Sequence, residues 1–154
     1  MTSTFSHEMD EDPSIAFGPL KIWVTGRQYP DMHDFWDGNW LAATARCEGN
    51  GSKIKVTGAF LHLGELKKWK QELEQFQRTL KGCVELPTIE PTLSVKIESQ
   101  GSATGQLTCE VALTGDQISE RHRYMFSTDQ SYLPGLISQL GSVLHDYPIR
   151  DGKL

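Results

Sequence analysis

Four side chains that can bind a cation lie close together in the first third of the chain: Asp31, His33, Asp34 and Asp37. Carboxylates and imidazoles are metal ligands in proteins, so a metal site of an enzyme is the first chemistry to test here. None of the established ligand spacings is present, and the other histidines are scattered along the chain. The sequence therefore predicts neither a metal site nor another cofactor.

Other catalytic signals are also missing from the sequence. It contains no Gly-rich phosphate loop, no Gly-x-Ser-x-Gly and no His-Glu-x-x-His. Cys47, Cys83 and Cys109 are odd in number and widely spaced, without a Cys-x-x-Cys pair, which is typical of reduced, mostly packed thiols. We therefore predict that the protein is not an enzyme.

The same acids border an aromatic stretch, Asp34-Phe35-Trp36-Asp37-Gly38-Asn39-Trp40-Leu41. Its two tryptophans are costly to leave in water, whereas its carboxylates and its Asp-Gly pair are hard to bury. No Lys or Arg lies between Tyr29 and Leu41. We predict a corner between two strands with the rings mainly inward and the carboxylates outward, where they could pair with basic groups of a partner.

The residues of this corner also have purely structural interpretations. Large aromatic side chains beside strands are more often core than contact, which applies to Trp36 and Trp40. The carboxylates could equally shape a loop, and the asparagine could hydrogen-bond the turn. The candidate partner-binding residues are Asp31, Asp34, Trp36, Asp37 and Asn39.

Overall charge does not identify a partner. The formal charge is −5, but the run from residue 8 to 12 supplies four of the twenty acids, which leaves sixteen against fifteen Lys and Arg. Any electrostatic argument must therefore be local. The short basic sequence Arg121-His122-Arg123 is too small for a nucleic-acid site and is expected to be a solvated strand edge.

Chain length and hydropathy predict one domain. A chain of 154 residues can bury a core without disulfides. We expect an acidic, disordered tail at 1–16, a domain at 17–150 and a short C-terminal end at 151–154. No run of 18 apolar residues and no signal-peptide pattern is found, so we expect a cytoplasmic protein without a membrane partner.

Hydrophobic periodicity predicts the elements that hold the corner. Alternating apolar residues predict strands near 20–24, 41–47, 54–60, 93–97, 107–113 and 122–126. Apolar residues spaced by three and four predict amphipathic helices at 64–81, ended by Gly82 in a left-handed conformation, and from Ser131 to Tyr147. Asp129 is expected to serve the entrance of the second helix. The order βββα-βββα predicts an α+β fold, with antiparallel sheets and both helices packed on one face.

Several short motifs resemble the WapI family of bacterial immunity proteins. Besides the aromatic stretch, they are Gly26-Arg27-x-x-Pro30, Gly64-Glu65-Leu66, Glu90-Pro91-x-Leu93, Thr104-Gly105-x-Leu107, Asp129-Gln130-Ser131-Tyr132-Leu133 and Tyr147-Pro148-Ile149-Arg150. The resemblance runs from about residue 20 to 150.

This resemblance implies a cytoplasmic antidote that binds the toxic C-terminal domain of a polymorphic toxin. In the name-giving case the toxin is a nuclease acting on tRNA, but the cognate toxin here could be another enzyme. Such an antidote needs a rigid surface with aromatic anchors and placed charges, and no direct nucleic-acid binding. The alternative is a small scaffold that uses the same corner for a metabolite or another protein.

Overall fold

The computed structural model describes residues 11–152, and these form two antiparallel sheets, each followed by a helix. The elements are β1 (Ile15–Phe17), β2 (Leu20–Arg27), β3 (Trp40–Gly49), β4 (Ser52–His62), α1 (Leu63–Thr79), β5 (Cys83–Glu85), β6 (Leu93–Ser99), β7 (Gln106–Leu113), β8 (His122–Asp129) and α2 (Leu133–Asp146). The strand orders are β1-β2-β3-β4 and β5-β6-β7-β8. The predicted α+β class, with its repeated strand and helix pattern, is confirmed.

Two short strands, β1 and β5, were not predicted because three residues are too few to show alternation. Ile15 is fully buried and lies opposite Ile22 of β2. The packed structure therefore begins two residues before the predicted domain boundary. Most of the predicted tail, at 1–10, and the last two residues of the predicted C-terminal end lie outside the described residues.

Helix α1 packs the predicted apolar side chains into the core and ends slightly early. Leu66, Trp69, Leu73 and Phe76 are buried. The left-handed residue that ends the helix is Leu80 (φ 49°), whose N–H donates to the carbonyl of the buried phenylalanine, so the prediction of the glycine two residues later was wrong. Burial of the leucine side chain offsets the cost of this conformation, which is about 1–2 kcal/mol.

Helix α2 begins at Leu133, two residues after the predicted start at Ser131. A 3₁₀ turn at Gln130–Tyr132 leads into it, and Pro134 lies in its first turn. The Asp129 carboxylate accepts a hydrogen bond from the Ser131 N–H at 2.8 Å, which confirms its predicted role at the helix entrance. The helix then packs against α1.

This carboxylate gives a pH-dependent prediction. Its hydrogen bonds from Ser131 lower the pKa of Asp129 below its usual value of 3.8. A lowered pKa means stabilisation that is present above pH 3.8 and lost as the pH falls through the folded-state pKa. Asp129→Ala is therefore expected to lower the melting temperature by a few degrees at pH 7.

Thermal unfolding of both proteins at pH 7 and at about pH 2 measures this effect. The difference between the melting temperatures of wild type and the Asp129→Ala variant should be smaller at about pH 2 than at pH 7. Asp129→Asn retains an acceptor without the charge and serves as the control. An equal difference in melting temperature at both pH values would show that the charge of the Asp129 carboxylate does not stabilise the start of the helix.

Two of the three cysteines belong to the core. Burial raises the pKa of Cys47 to about 11 and that of Cys109 to about 12, which keeps both thiols protonated and unreactive. Cys83 is exposed on β5. All three are free thiols, as the sequence predicted.

None of the helices within residues 11–152 is long and apolar enough to cross a membrane.

Candidate interaction site at the corner of the first sheet

The candidate site is the corner loop, residues 28–39, which joins β2 to β3. The pairing of β2 with β3 is bulged in β2 between Val24 and Gly26, and the pairing of β3 with β4 is bulged in β4 between Gly58 and Leu61. Bulges bend strands and change the direction in which side chains point. The Gln28 N–H closes the base of the loop on the Trp40 carbonyl at 2.9 Å.

The corner loop exposes both apolar and acidic side chains. Its four exposed large apolar residues are Tyr29, Met32, Phe35 and Trp36. Asp31 and Asp34 are also exposed, and Asp37 is half-buried. Because the loop contains no Lys or Arg, this surface combines apolar area with negative charge.

The two tryptophans of the loop play different roles. Trp40 is buried, as predicted, whereas Trp36 is 48% exposed, so its prediction as core was wrong. The rings meet edge to face, with centroids 5.5 Å apart. Trp36 also stacks on His62 at 5.2 Å, which supports one face of its ring. The exposed ring is therefore held on a rigid base, the arrangement expected of an interface anchor.

His62 is the buried centre of this aromatic cluster. Its Nδ1 accepts a hydrogen bond from the Gly64 N–H at 3.0 Å, so the ring proton is assigned to Nε2. Nε2 lies 3.1 Å from the Trp36 carbonyl and 3.2 Å from that of Phe35, and donates to both. The histidine thus joins the start of α1 to the corner loop.

Asn39 is a structural residue of the loop. It is fully buried, so it is not available for the direct partner contact that the sequence suggested. Its amide donates to the carbonyls of Phe35 and Arg150, both at 2.7 Å. Its Oδ1 accepts from the Arg150 N–H at 2.8 Å. One side chain therefore ties the loop to the C-terminal segment.

Arg27 and Arg150 add further hydrogen bonds between the corner loop and the rest of the protein. Arg150 donates through Nη1 to the carbonyls of Pro30 and Met32, at 2.7 and 2.6 Å. Arg27 donates to the carbonyls of Gly38 and Pro148. Burial, and secondarily the neighbouring Arg150, lowers the pKa of Arg27. The two arginines thus hold backbone carbonyls of the corner loop and of the C-terminal segment.

Asp34 has a local role as well as an exposed carboxylate. Its Oδ2 accepts a hydrogen bond from the Asp37 N–H at 2.8 Å, and its carbonyl accepts from Gly38 at 3.0 Å. These bonds begin the 3₁₀ turn Asp37–Asn39. The loop-shaping interpretation therefore holds for Asp34, but it uses only one carboxylate oxygen and leaves the charge at the surface.

Glycines allow the corner to close. A Cβ at Gly38 would lie 2.6 Å from the Met32 carbonyl oxygen, and one at Gly64 would lie 2.8 Å from the Phe35 ring. Gly64 opens one of the family-like motifs, and Arg150 ends another. Motifs that are more than 100 residues apart in sequence, as Asn39 and Arg150 are, thus meet at one corner.

Sequence reasoning missed the roles of His62, Arg27 and Arg150. His62 was grouped with the scattered histidines, although its place two residues before Gly64 is a helix-cap position that could have identified it. Three of the four arginine contacts with carbonyls join residues more than 115 positions apart and leave no periodic signal.

The acids and His33 of the corner loop do not form a metal site. Within the described range, 11–152, no three His, Cys, Asp or Glu side chains come close enough to hold a metal ion.

The short basic sequence on β8 is partly neutralised, because Arg123 forms an ion pair with Glu110 at 2.6 Å. Grooves of about 510 and 640 Å³ lie beside α1, and neither is lined by Trp36 or Trp40.

Comparison with known proteins gives a family match. The model of the "Immunity protein WapI-like family" matches residues 13–148. A search of curated proteins finds no match. Among solved structures, the plant transcriptional regulator PBF-2 is similar at 10% identity with a TM-score of 0.47, covering 83% of this chain and 75% of that one. WHY3 from Arabidopsis thaliana is similar at 12% identity with a TM-score of 0.41, covering 86% and 85%.

Proposed function

Because the chain belongs to the WapI-like immunity protein family, we propose that it binds a cognate polymorphic-toxin domain and neutralises it by covering its active site. The corner loop is the proposed contact surface. The residues proposed to touch the toxin are Asp31, Asp34, Trp36 and Asp37, with Asn39 acting from beneath the loop.

The exposed side chains of the corner loop are the main reason for proposing it as the toxin-binding surface. The corner loop exposes four large apolar side chains and its acids on a backbone held by buried hydrogen bonds. An exposed apolar cluster with polar groups around it is the usual signature of a protein interface. Preorganisation also lowers the entropic cost of binding. These features support an inhibitor surface that needs no catalytic step.

The charge of the loop favours a basic toxin site. A nuclease must hold a polyanionic substrate, so its active site is expected to carry Arg and Lys. Carboxylates on a rigid loop can pair with these side chains in place of phosphates. We therefore propose a nuclease as the toxin and occlusion of its active site as the mechanism.

Co-expression tests this proposal. The gene should be expressed with the toxin domain encoded immediately upstream, and growth should be rescued. The two proteins should co-elute from a sizing column. The matched control is the same toxin expressed with an immunity protein from an unrelated toxin, which should give no rescue. Failure of both rescue and co-elution with the cognate toxin would overturn the antidote function.

A further inference from the structure

Strand β8 forms one edge of the second sheet and pairs with β7 on one side only. The Gln130 N–H donates to the Gly105 carbonyl, which continues the ladder and places its hydrogen-bonded pairs at the even-numbered residues of β8. The backbone N–H and C=O groups of Arg123, Met125 and Ser127 therefore point away from β7. No strand within residues 11–152 pairs with them.

This edge lacks the features that usually prevent edge strands from pairing. β8 contains no Pro, Gly or Lys, and its register with β7 has no bulge. Its one arginine, Arg123, forms an ion pair with Glu110 of β7 at 2.6 Å, so its charge is partly offset within the sheet. Met125, in the middle of the strand, is 68% exposed. A groove of about 420 Å³ beside residues 123–126 leaves space along the edge.

The side chains of β8 are complementary to the same strand of a second copy. Two antiparallel copies centred on Met125 bring this residue opposite itself and Arg123 opposite Ser127. The edge-facing backbone groups then meet, which allows two N–H···O=C bonds in each of these pairs. The same register brings Arg121 opposite Asp129, so opposite charges meet at both ends of the pairing.

Strand β8 lies at the end of the first sheet that is opposite to the corner loop. The Tyr124 hydroxyl and Ser52 Oγ form a hydrogen bond of 3.0 Å, and Gly18 packs against the Phe126 ring. Gly18 and Ser52 lie at the β1–β2 and β3–β4 turns, whereas the corner loop joins β2 to β3. Because successive connections of an antiparallel sheet alternate between its ends, pairing through β8 leaves the corner loop of each copy open.

We propose that two copies of this chain pair through β8 and form one continuous antiparallel sheet with four strands from each copy. Met125 is buried at the two-fold axis, and Arg121 of each copy pairs with Asp129 of the other. The contact is a strand addition in which the added strand is the same surface of a second copy. Such a contact is isologous, so the assembly closes at a dimer. The dimer can bind two toxin molecules, and this last step alone rests on the proposed function.

Sedimentation velocity of the full chain between about 1 and 200 µM, without toxin, tests the dimer. The sedimentation coefficient should rise with concentration from a monomer value to a dimer value. Met125→Lys places like charges opposite each other at the two-fold axis and should weaken dimerisation by about tenfold or more. The control, Ile89→Lys, replaces another exposed apolar side chain outside β8 by the same charge and should leave dimerisation unchanged.

A charge exchange between the two ends of β8 tests the register. Arg121→Asp should weaken dimerisation by about tenfold because two carboxylates then face each other, and Asp129→Arg should do so because two guanidinium groups face each other. A mixture of the two variants restores both contacts between opposite charges, so it should form a heterodimer with an affinity close to that of wild type. Thermal unfolding checks that Asp129→Arg is folded, since it loses the hydrogen bond at the entrance of α2.

Hydrogen exchange of the wild-type chain gives a measurement that needs no variant. The amides of Arg123, Met125 and Ser127 should exchange more slowly as the protein concentration rises, because they donate to the other copy. The amides of Tyr124 and Phe126 donate to β7 and should change little.

Three outcomes would overturn the proposal. The first is a monomer at every concentration. The second is a dimer that Met125→Lys does not weaken, or whose edge-facing amides stay unprotected, because the copies would then meet through another surface. The third is a mixture of the two folded charge variants that stays monomeric, which would exclude the register centred on Met125.

Discussion

Changing Asp34 and Asp37 together to Asn is expected to weaken toxin binding by about ten- to a hundredfold while shifting the melting temperature by less than about 2 °C. The affinity falls because two carboxylates, of an exposed and a half-buried residue, lose their charge at a basic interface. Stability is retained because an asparagine at position 34 keeps a side-chain oxygen that accepts from the backbone N–H of residue 37. At Asp34 the two effects have separate causes: the hydrogen bond accepted by its side chain stabilises the loop, and its surface charge contributes to binding.

Titration calorimetry at about 0.05 and 0.5 M salt measures the change, since the Debye length falls from roughly 14 to 4 Å over that range. The affinity of wild type should fall more steeply with salt than that of the variant. The control variant, Glu98→Gln with Asp146→Asn, removes two exposed acids outside the corner loop. It should change neither the affinity for the toxin nor the salt dependence of that affinity appreciably. A large loss of stability with intact binding would instead make Asp34 and Asp37 determinants of the fold.

Local sequence periodicity was enough to predict most of the fold. The apolar spacing from Leu66 to Phe76 specifies one buried face of a helix, and alternation from Leu107 to Leu113 specifies one buried face of a strand. The left-handed end of α1 was misplaced because tertiary burial of Leu80 overrode the preference for glycine. Local rules therefore failed where packing between distant elements decided the conformation.

The candidate site was less predictable than the fold. Trp36 and Trp40 have similar sequence surroundings and both rings contact His62. They lie on opposite sides of the 3₁₀ turn, and only Trp40, at the start of β3, is buried. Likewise, Asn39 could be predicted to hydrogen-bond the turn, but its main partner is Arg150, 111 residues away. Residue types located the corner, whereas long-range contacts determined which of its side chains face a partner.

Asn39→Ala is expected to reduce the free energy of unfolding by about 2–4 kcal/mol. It removes three short hydrogen bonds and leaves the carbonyls of Phe35 and Arg150 and the Arg150 N–H without this partner. Buried backbone groups that lose a partner cost about 1–3 kcal/mol each, and partial access of water reduces the sum. Urea unfolding measures the loss, and Gln77→Ala on the exposed side of α1 should change stability by less than about 0.5 kcal/mol.

The Asn39→Ala variant also distinguishes the residues that hold the corner loop in place from the residues that contact the toxin. With Asn39 removed, the Arg150 amide should lose hydrogen-exchange protection, and so should the Gly152 amide, which donates to the His33 carbonyl. Toxin binding should weaken although every exposed side chain of the loop is still present, because the loop must then be ordered on binding. Unchanged exchange at both amides, with stability within about 0.5 kcal/mol of wild type, would show that the buried asparagine does not hold the loop in place.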